Sequence, residues 1–127
     1  MVAATGRVLV VEDDADVNEM VGAYAQIAGF EYDAALTGRS AIEKAAAGQP
    51  DLILLDIMLP DVDGFEVCRR LKDQQITAHI PVVMLSALDR EEHRQRGRQL
   101  GAVDFITKPF DPDHLMDVIR KNASDGR

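Results

Sequence analysis

Short apolar runs alternate with segments of helical spacing along the whole chain, and this alternation leaves very few folds open. Val8-Leu9-Val10-Val11, Leu52-Ile53-Leu54-Leu55 and Pro81-Val82-Val83-Met84-Leu85 are apolar at every position. Such runs, bounded by turn formers, suit strands buried on both faces. Val103 to Thr107 reads as a last strand, and Glu31 to Ala35 as a weaker one at a sheet edge. Between the strands lie amphipathic segments. Val17, Met20, Val21, Tyr24 and Ile27-Ala28 follow helical spacing and stop at Gly29. Thr37-Gly38 opens a helix through Ala47 that Gly48-Gln49-Pro50 ends. Phe65, Cys68 and Leu71 share one face of a helix from Phe65 to Lys72. Arg90 to Leu100 is helical but poorly apolar, and Pro112 to Lys121 follows Asp111 as its cap. Strict alternation implies a parallel sheet with right-handed crossovers and helices on both faces.

Two of the apolar runs end in acids. Glu12-Asp13-Asp14 follows the first, and Asp56 follows the run from Leu52 to Leu55. In an open parallel sheet the carboxyl ends of the strands form the edge where ligands bind. Glu12, Asp13 and Asp56 therefore converge there. Unit charges ~4 Å apart repel by roughly 4 kcal/mol at an effective dielectric of about 20. A cation must relieve them, and oxygen ligands suit a hard divalent ion such as Mg2+, with Mn2+ as an alternative. Helix capping alone accounts for acids after the first strand, but not for Asp56 arriving at the same edge.

Ser86 and Lys108 end two further strands. A carboxylate nucleophile, a metal, a fixed ammonium and a hydroxyl are what a transferring phosphoryl group requires, because its charge spreads over equatorial oxygens. No histidine stands at these strand ends, which argues against acyl transfer with an imidazole base.

Composition narrows the classes further. The 127 residues suit one domain, 1–127, with an ordered core of about 6–122 and a frayed tail from Ala123. The net charge of −8 argues against this domain gripping nucleic acid directly. The single Cys68 excludes an internal disulfide and reads as core filler. No apolar stretch approaches the roughly 20 residues that span a bilayer, and the first residues lack a signal peptide's pattern. The chain reads as cytoplasmic.

These blocks resemble the receiver domain of two-component response regulators. The residues that carry the likeness are Val8 to Asp14, Leu55-Asp56-Ile57-Met58-Leu59-Pro60-Asp61-Val62-Asp63-Gly64, Pro81 to Ala87, and Gly101-Ala102-Val103-Asp104-Phe105-Ile106-Thr107-Lys108-Pro109-Phe110. The resemblance implies a flavodoxin-like (βα)5 sandwich with sheet order 2-1-3-4-5. It implies that Asp56 is the phosphoacceptor and that Asp13 and Asp56 ligate magnesium. Glu12 would act through water and Met58 through its backbone carbonyl. Ser86 and Lys108 would contact the phosphoryl oxygens, and the Lys108-Pro109 bond would be cis. Ser86, Ala87 and Phe105 would form the switch that re-forms the surface of the fourth helix, fifth strand and fifth helix. Met58 and Leu88 would tune the lifetime of the phosphoryl group. The implied donor is a sensor histidine kinase or a histidine phosphotransfer protein. The output domain or target is unspecified, and labelling would be stoichiometric rather than catalytic.

Some positions depart from common family forms. Phe105 stands where many relatives carry Tyr, and Ser86 where Thr is commoner. Val118 and His114 stand where the winged-helix transcription-factor subfamily carries charges in the last helix. A rival reading takes Asp61-Val62-Asp63-Gly64 as the Asp-x-Asp-Gly motif of haloacid-dehalogenase-type phosphatases. That motif's first Asp directly follows its strand, whereas Asp61 lies beyond Pro60 in a loop. A flavodoxin-like cofactor binder would need a Gly- or Ser/Thr-rich loop after the first strand, where this chain has acids. His79, His93 and His114 read as surface residues. Arg90, Arg94, Arg96 and Arg98 read as a solvated face or a partner surface.

Overall fold

The computed structural model describes residues 6–87 and 90–123. Leu88 and the tail beyond Ala123 lie outside these residues. The elements are β1 (Arg7–Val11), α1 (Ala15–Ile27), β2 (Glu31–Ala35), α2 (Gly38–Gly48), β3 (Leu52–Asp56), α3 (Gly64–Asp73), β4 (Val82–Ser86), α4 (Glu91–Gln99), β5 (Asp104–Thr107) and α5 (Pro112–Ala123). The strands form one parallel sheet in the order β2-β1-β3-β4-β5, the order the family resemblance implies.

Alternate strand residues serve two cores, as a period of two requires. Leu9, Val11, Ile53, Leu55, Val82 and Met84 face Ala41 and Ala45 of α2 and Phe65, Cys68 and Leu71 of α3. Val8, Val10, Leu52, Leu54, Val83 and Leu85 face Val21 and Ala25 of α1 and Leu115, Val118 and Ile119 of α5. Val118 is therefore a core residue in this chain rather than a surface position awaiting a charge. Ala123, expected in the tail, is buried at the end of α5.

The α2 helix stops one residue later than its glycine suggests. Gly48 is still helical, and Gln49 takes the left-handed conformation at φ 47°. The Gln49 amide donates to Ile76 O at 3.0 Å, which ties this exit to the α3–β4 loop.

The poorly apolar α4 packs by other means. Gly97 is its buried residue, and a Cβ there would stand 3.4 Å from Met84 Cγ. The Arg96 guanidinium lies 4.4 Å from the Phe65 ring centre and that of Arg94 lies 4.9 Å from the Phe105 ring centre. Two of the arginines that read as a solvated face are thus laid on aromatic rings. His93, expected at the surface, is half-buried with its ring 5.8 Å from Phe65. Among the described residues no helix is long and apolar enough to cross a membrane.

Candidate phosphoacceptor site

Strand register builds the site. Val11 pairs with Leu55, so Glu12 leaves β1 level with Asp56 at the end of β3. Asp56 pairs with Leu85, which sets Ser86 beside it, and Ser86 pairs with Thr107, which delivers Lys108. All these residues reach the carboxyl edge of the sheet.

The acid cluster after β1 divides its tasks. Asp14 caps α1, accepting from the backbone N–H of Asp16 at 3.0 Å and of Val17 at 3.2 Å. Glu12 is buried and turns inward, with Oε2 accepting from Asp14 N at 3.1 Å. Asp13 stays exposed. Glu12, Asp13 and Asp56 each offer a carboxylate oxygen, and these oxygens lie within 4.8 Å of one another. An all-oxygen donor set with one exposed member fits a hard divalent cation that keeps part of its water.

Asp56 is only 4% exposed. Its Oδ1 accepts from Met58 N at 3.1 Å, and its Oδ2 accepts from Lys108 Nζ at 2.9 Å. The same ammonium donates to Glu12 Oε1. Burial draws the Lys108 pKa down, but hydrogen bonds to Glu12 and Asp56 and their negative charges outweigh it and hold the group above the ordinary lysine value. Lys108 is therefore a fixed cation. The Lys108-Pro109 bond that carries it past β5 is cis.

Ser86 is buried beside this cluster, whereas Ala87 is exposed. Ser86 opens onto a groove of about 370 Å³ lined by Ile57, Met58, Leu59, Phe65 and His93. The Met58 side chain is 70% exposed at its rim. The Phe105 ring is buried beneath Arg94.

The acids of the rival phosphatase motif are committed elsewhere. Asp61 accepts from Gly38 N at 2.8 Å and Arg39 N at 3.0 Å, across the start of α2. Asp63 caps α3 through Phe65 N at 2.6 Å. Gly64 is needed for close approach, since a Cβ there would stand 2.3 Å from the Asp56 carbonyl oxygen. The Asp-x-Asp-Gly pattern is thus two helix starts pressed against the end of β3.

Sequence reasoning missed Asn18 and Tyr32. Asn18 is 1% exposed, and its Nδ2 donates to Val10 O at 3.0 Å, Glu12 O at 3.1 Å and Ala35 O at 3.2 Å. The Tyr32 hydroxyl donates to Asn18 Oδ1. Burial, then the charges of Glu19 and Asp33, push the Tyr32 phenol up, so it remains a donor. A signal was present: Asn18 shares the buried stripe of α1 with Val21 and Ala25.

Residues 8–120 match the Response regulator receiver domain family. The Phosphate regulon transcriptional regulatory protein PhoB of Escherichia coli is 46% identical over 114 residues, covering 90% of this chain and 50% of that protein. Response regulator PleD of Caulobacter vibrioides is 43% identical over 116 residues, covering 91% of this chain and 26% of that protein. The chain thus spans half or less of the length of these curated relatives. Among solved structures, the Vibrio cholerae chemotaxis protein CheY4 superposes with a TM-score of 0.87 at 31% identity, covering 95% of this chain and 99% of that one.

Proposed function

The chain belongs to the response regulator receiver domain family, and on that premise we propose that Asp56 accepts a phosphoryl group from a phosphohistidine donor. One observation carries this reading: Asp56 is a nearly buried carboxylate at a strand end, held by Lys108 Nζ at 2.9 Å and flanked by two further acids. An oxygen of Asp56 forms the new P–O bond as the donor's P–N bond breaks and its electron pair returns to the imidazole. Lys108 and Ser86 receive the phosphoryl oxygens, the first by charge and the second by its hydroxyl. Asp13, Asp56 and the Met58 carbonyl would hold magnesium or manganese directly, and Glu12 through water. That ion would neutralise the oxygens of the transferring group. The donor is a sensor histidine kinase or a histidine phosphotransfer protein.

The output follows from charge. A phosphoryl group adds nearly two negative charges and strong acceptor oxygens. Ser86 moves toward them and draws Ala87 with it, and the surface of α4, β5 and α5 changes around Phe105. A partner reads this only through different affinity for the two states. Met58 and Leu88 offer no polar group to orient an attacking water, which favours a long-lived acyl phosphate.

Phosphate release tests the reading. Incubation with a small phosphodonor and magnesium should load one phosphoryl per chain. Release of many phosphates per chain on the same timescale would mark a phosphatase instead.

A further inference from the structure

We infer that Asn18, oriented by Tyr32, is a positioning residue that holds Glu12 and Asp13 in their cation-binding arrangement; this rests on the proposed receiver function. Three carboxylates brought within 4.8 Å of one another repel, so a loop free to relax would spread them. Something rigid must oppose that spread. The Glu12 side chain is held by Asp14 N and Lys108, and that of Asp56 by Met58 N and Lys108. The Glu12 backbone is held on both sides: Glu12 N donates to Ala35 O at 3.1 Å, and Glu12 O accepts from Asn18 Nδ2 at 3.1 Å.

Asn18 joins the exits of two strands and the loop at one atom. Val10 O belongs to β1, Ala35 O to β2 and Glu12 O to the acidic loop. An amide nitrogen has two protons, so three carbonyls share them. This works only if the amide nitrogen faces the carbonyls. The Tyr32 hydroxyl fixes that orientation by donating to Oδ1, the opposite end of the amide. Tyr32 is in turn seated on α1, where a Cβ on Gly22 would stand 2.3 Å from its ring. The chain of contact runs from Gly22 through Tyr32 and Asn18 to the peptide that joins Glu12 to Asp13. Asn18 and Tyr32 touch no reacting atom in this scheme.

The test uses Asn18→Ala and Tyr32→Phe in the whole chain, with calorimetric titration of magnesium into the unphosphorylated protein. Thermal unfolding is followed in parallel. Tyr32→Phe should weaken magnesium binding about three- to tenfold, the scale of one lost hydrogen bond, and Asn18→Ala should weaken it further. At saturating magnesium both should still reach full labelling of Asp56, so the defect lies in affinity. A purely structural role would lower the melting temperature and leave the affinity of the folded protein unchanged. Parent-like titration in the folded variants overturns the proposal, and Tyr32→Phe decides it alone if Asn18→Ala does not fold. If the parent takes up no magnesium, the receiver reading itself fails, and this inference with it.

Discussion

Lys108 Nζ lies 2.9 Å from Asp56 Oδ2, although the two residues stand 52 positions apart in sequence. Half-buried itself, the ammonium also donates to Glu12, so one cation balances two buried acids. Removing one partner of such a cluster leaves charge uncompensated. Lys108→Ala should therefore depend on magnesium for stability more than the parent does, with a larger rise in melting temperature on adding the ion. It should still be labelled by a small phosphodonor but give no change in the Phe105 ring signals by NMR. Equal magnesium-induced shifts in both proteins would contradict this role for Lys108.

Asp13 is the exposed member of the acid trio. Asp13→Ala should largely abolish magnesium binding. In the parent, binding should weaken as pH falls, since protons compete for carboxylate ligands. An unchanged titration in Asp13→Ala would refute the metal assignment.

Asp61 provides a pH test at the start of α2. Backbone N–H groups of Arg39 first, then Gly38, hold its carboxyl below the ordinary aspartate value. A lowered folded-state pKa gives stability that is complete above the unfolded value, about 3.9, and is lost as pH falls through the folded value. Asp61→Ala should denature at lower urea than the parent at neutral pH, with the gap closing only in that acid range. Labelling of Asp56 in the variant should persist. A gap that stays constant down to strong acid would show that the ionised carboxylate is not what holds the Gly38 and Arg39 N–H groups.

Phe105 is buried and lies beneath Arg94. Lacking a hydroxyl, its ring has no polar atom to draw it to solvent. Some partner binding should thus precede phosphorylation, and the gain on phosphorylation should be modest. Phe105→Tyr should lower the basal binding and widen that gain. A ring found only outward in a form bound to a phosphoryl mimic would show that this coupling is wrong.

Much of the fold was legible because β1, β3 and β4 are buried on both faces, leaving unbroken apolar runs. The acids at their ends were legible for the same reason, since Glu12 and Asp56 interrupt those runs. The α4 packing was not legible, because arginines laid on Phe65 and Phe105 look like solvated charge in a sequence. Asn18 was missed because its three acceptors are backbone carbonyls on separate strands, and no residue pattern encodes them. His93 was misjudged because its contact with Phe65 bridges α3 and α4.

Asp56 alone should take the phosphoryl group, and mass-spectrometric mapping after treatment with a phosphodonor decides it. One magnesium-dependent phosphoryl should be found on Asp56, and none on Asp56→Asn. Label on Asp61 or Asp63, or an equally labelled Asp56→Asn, would contradict it.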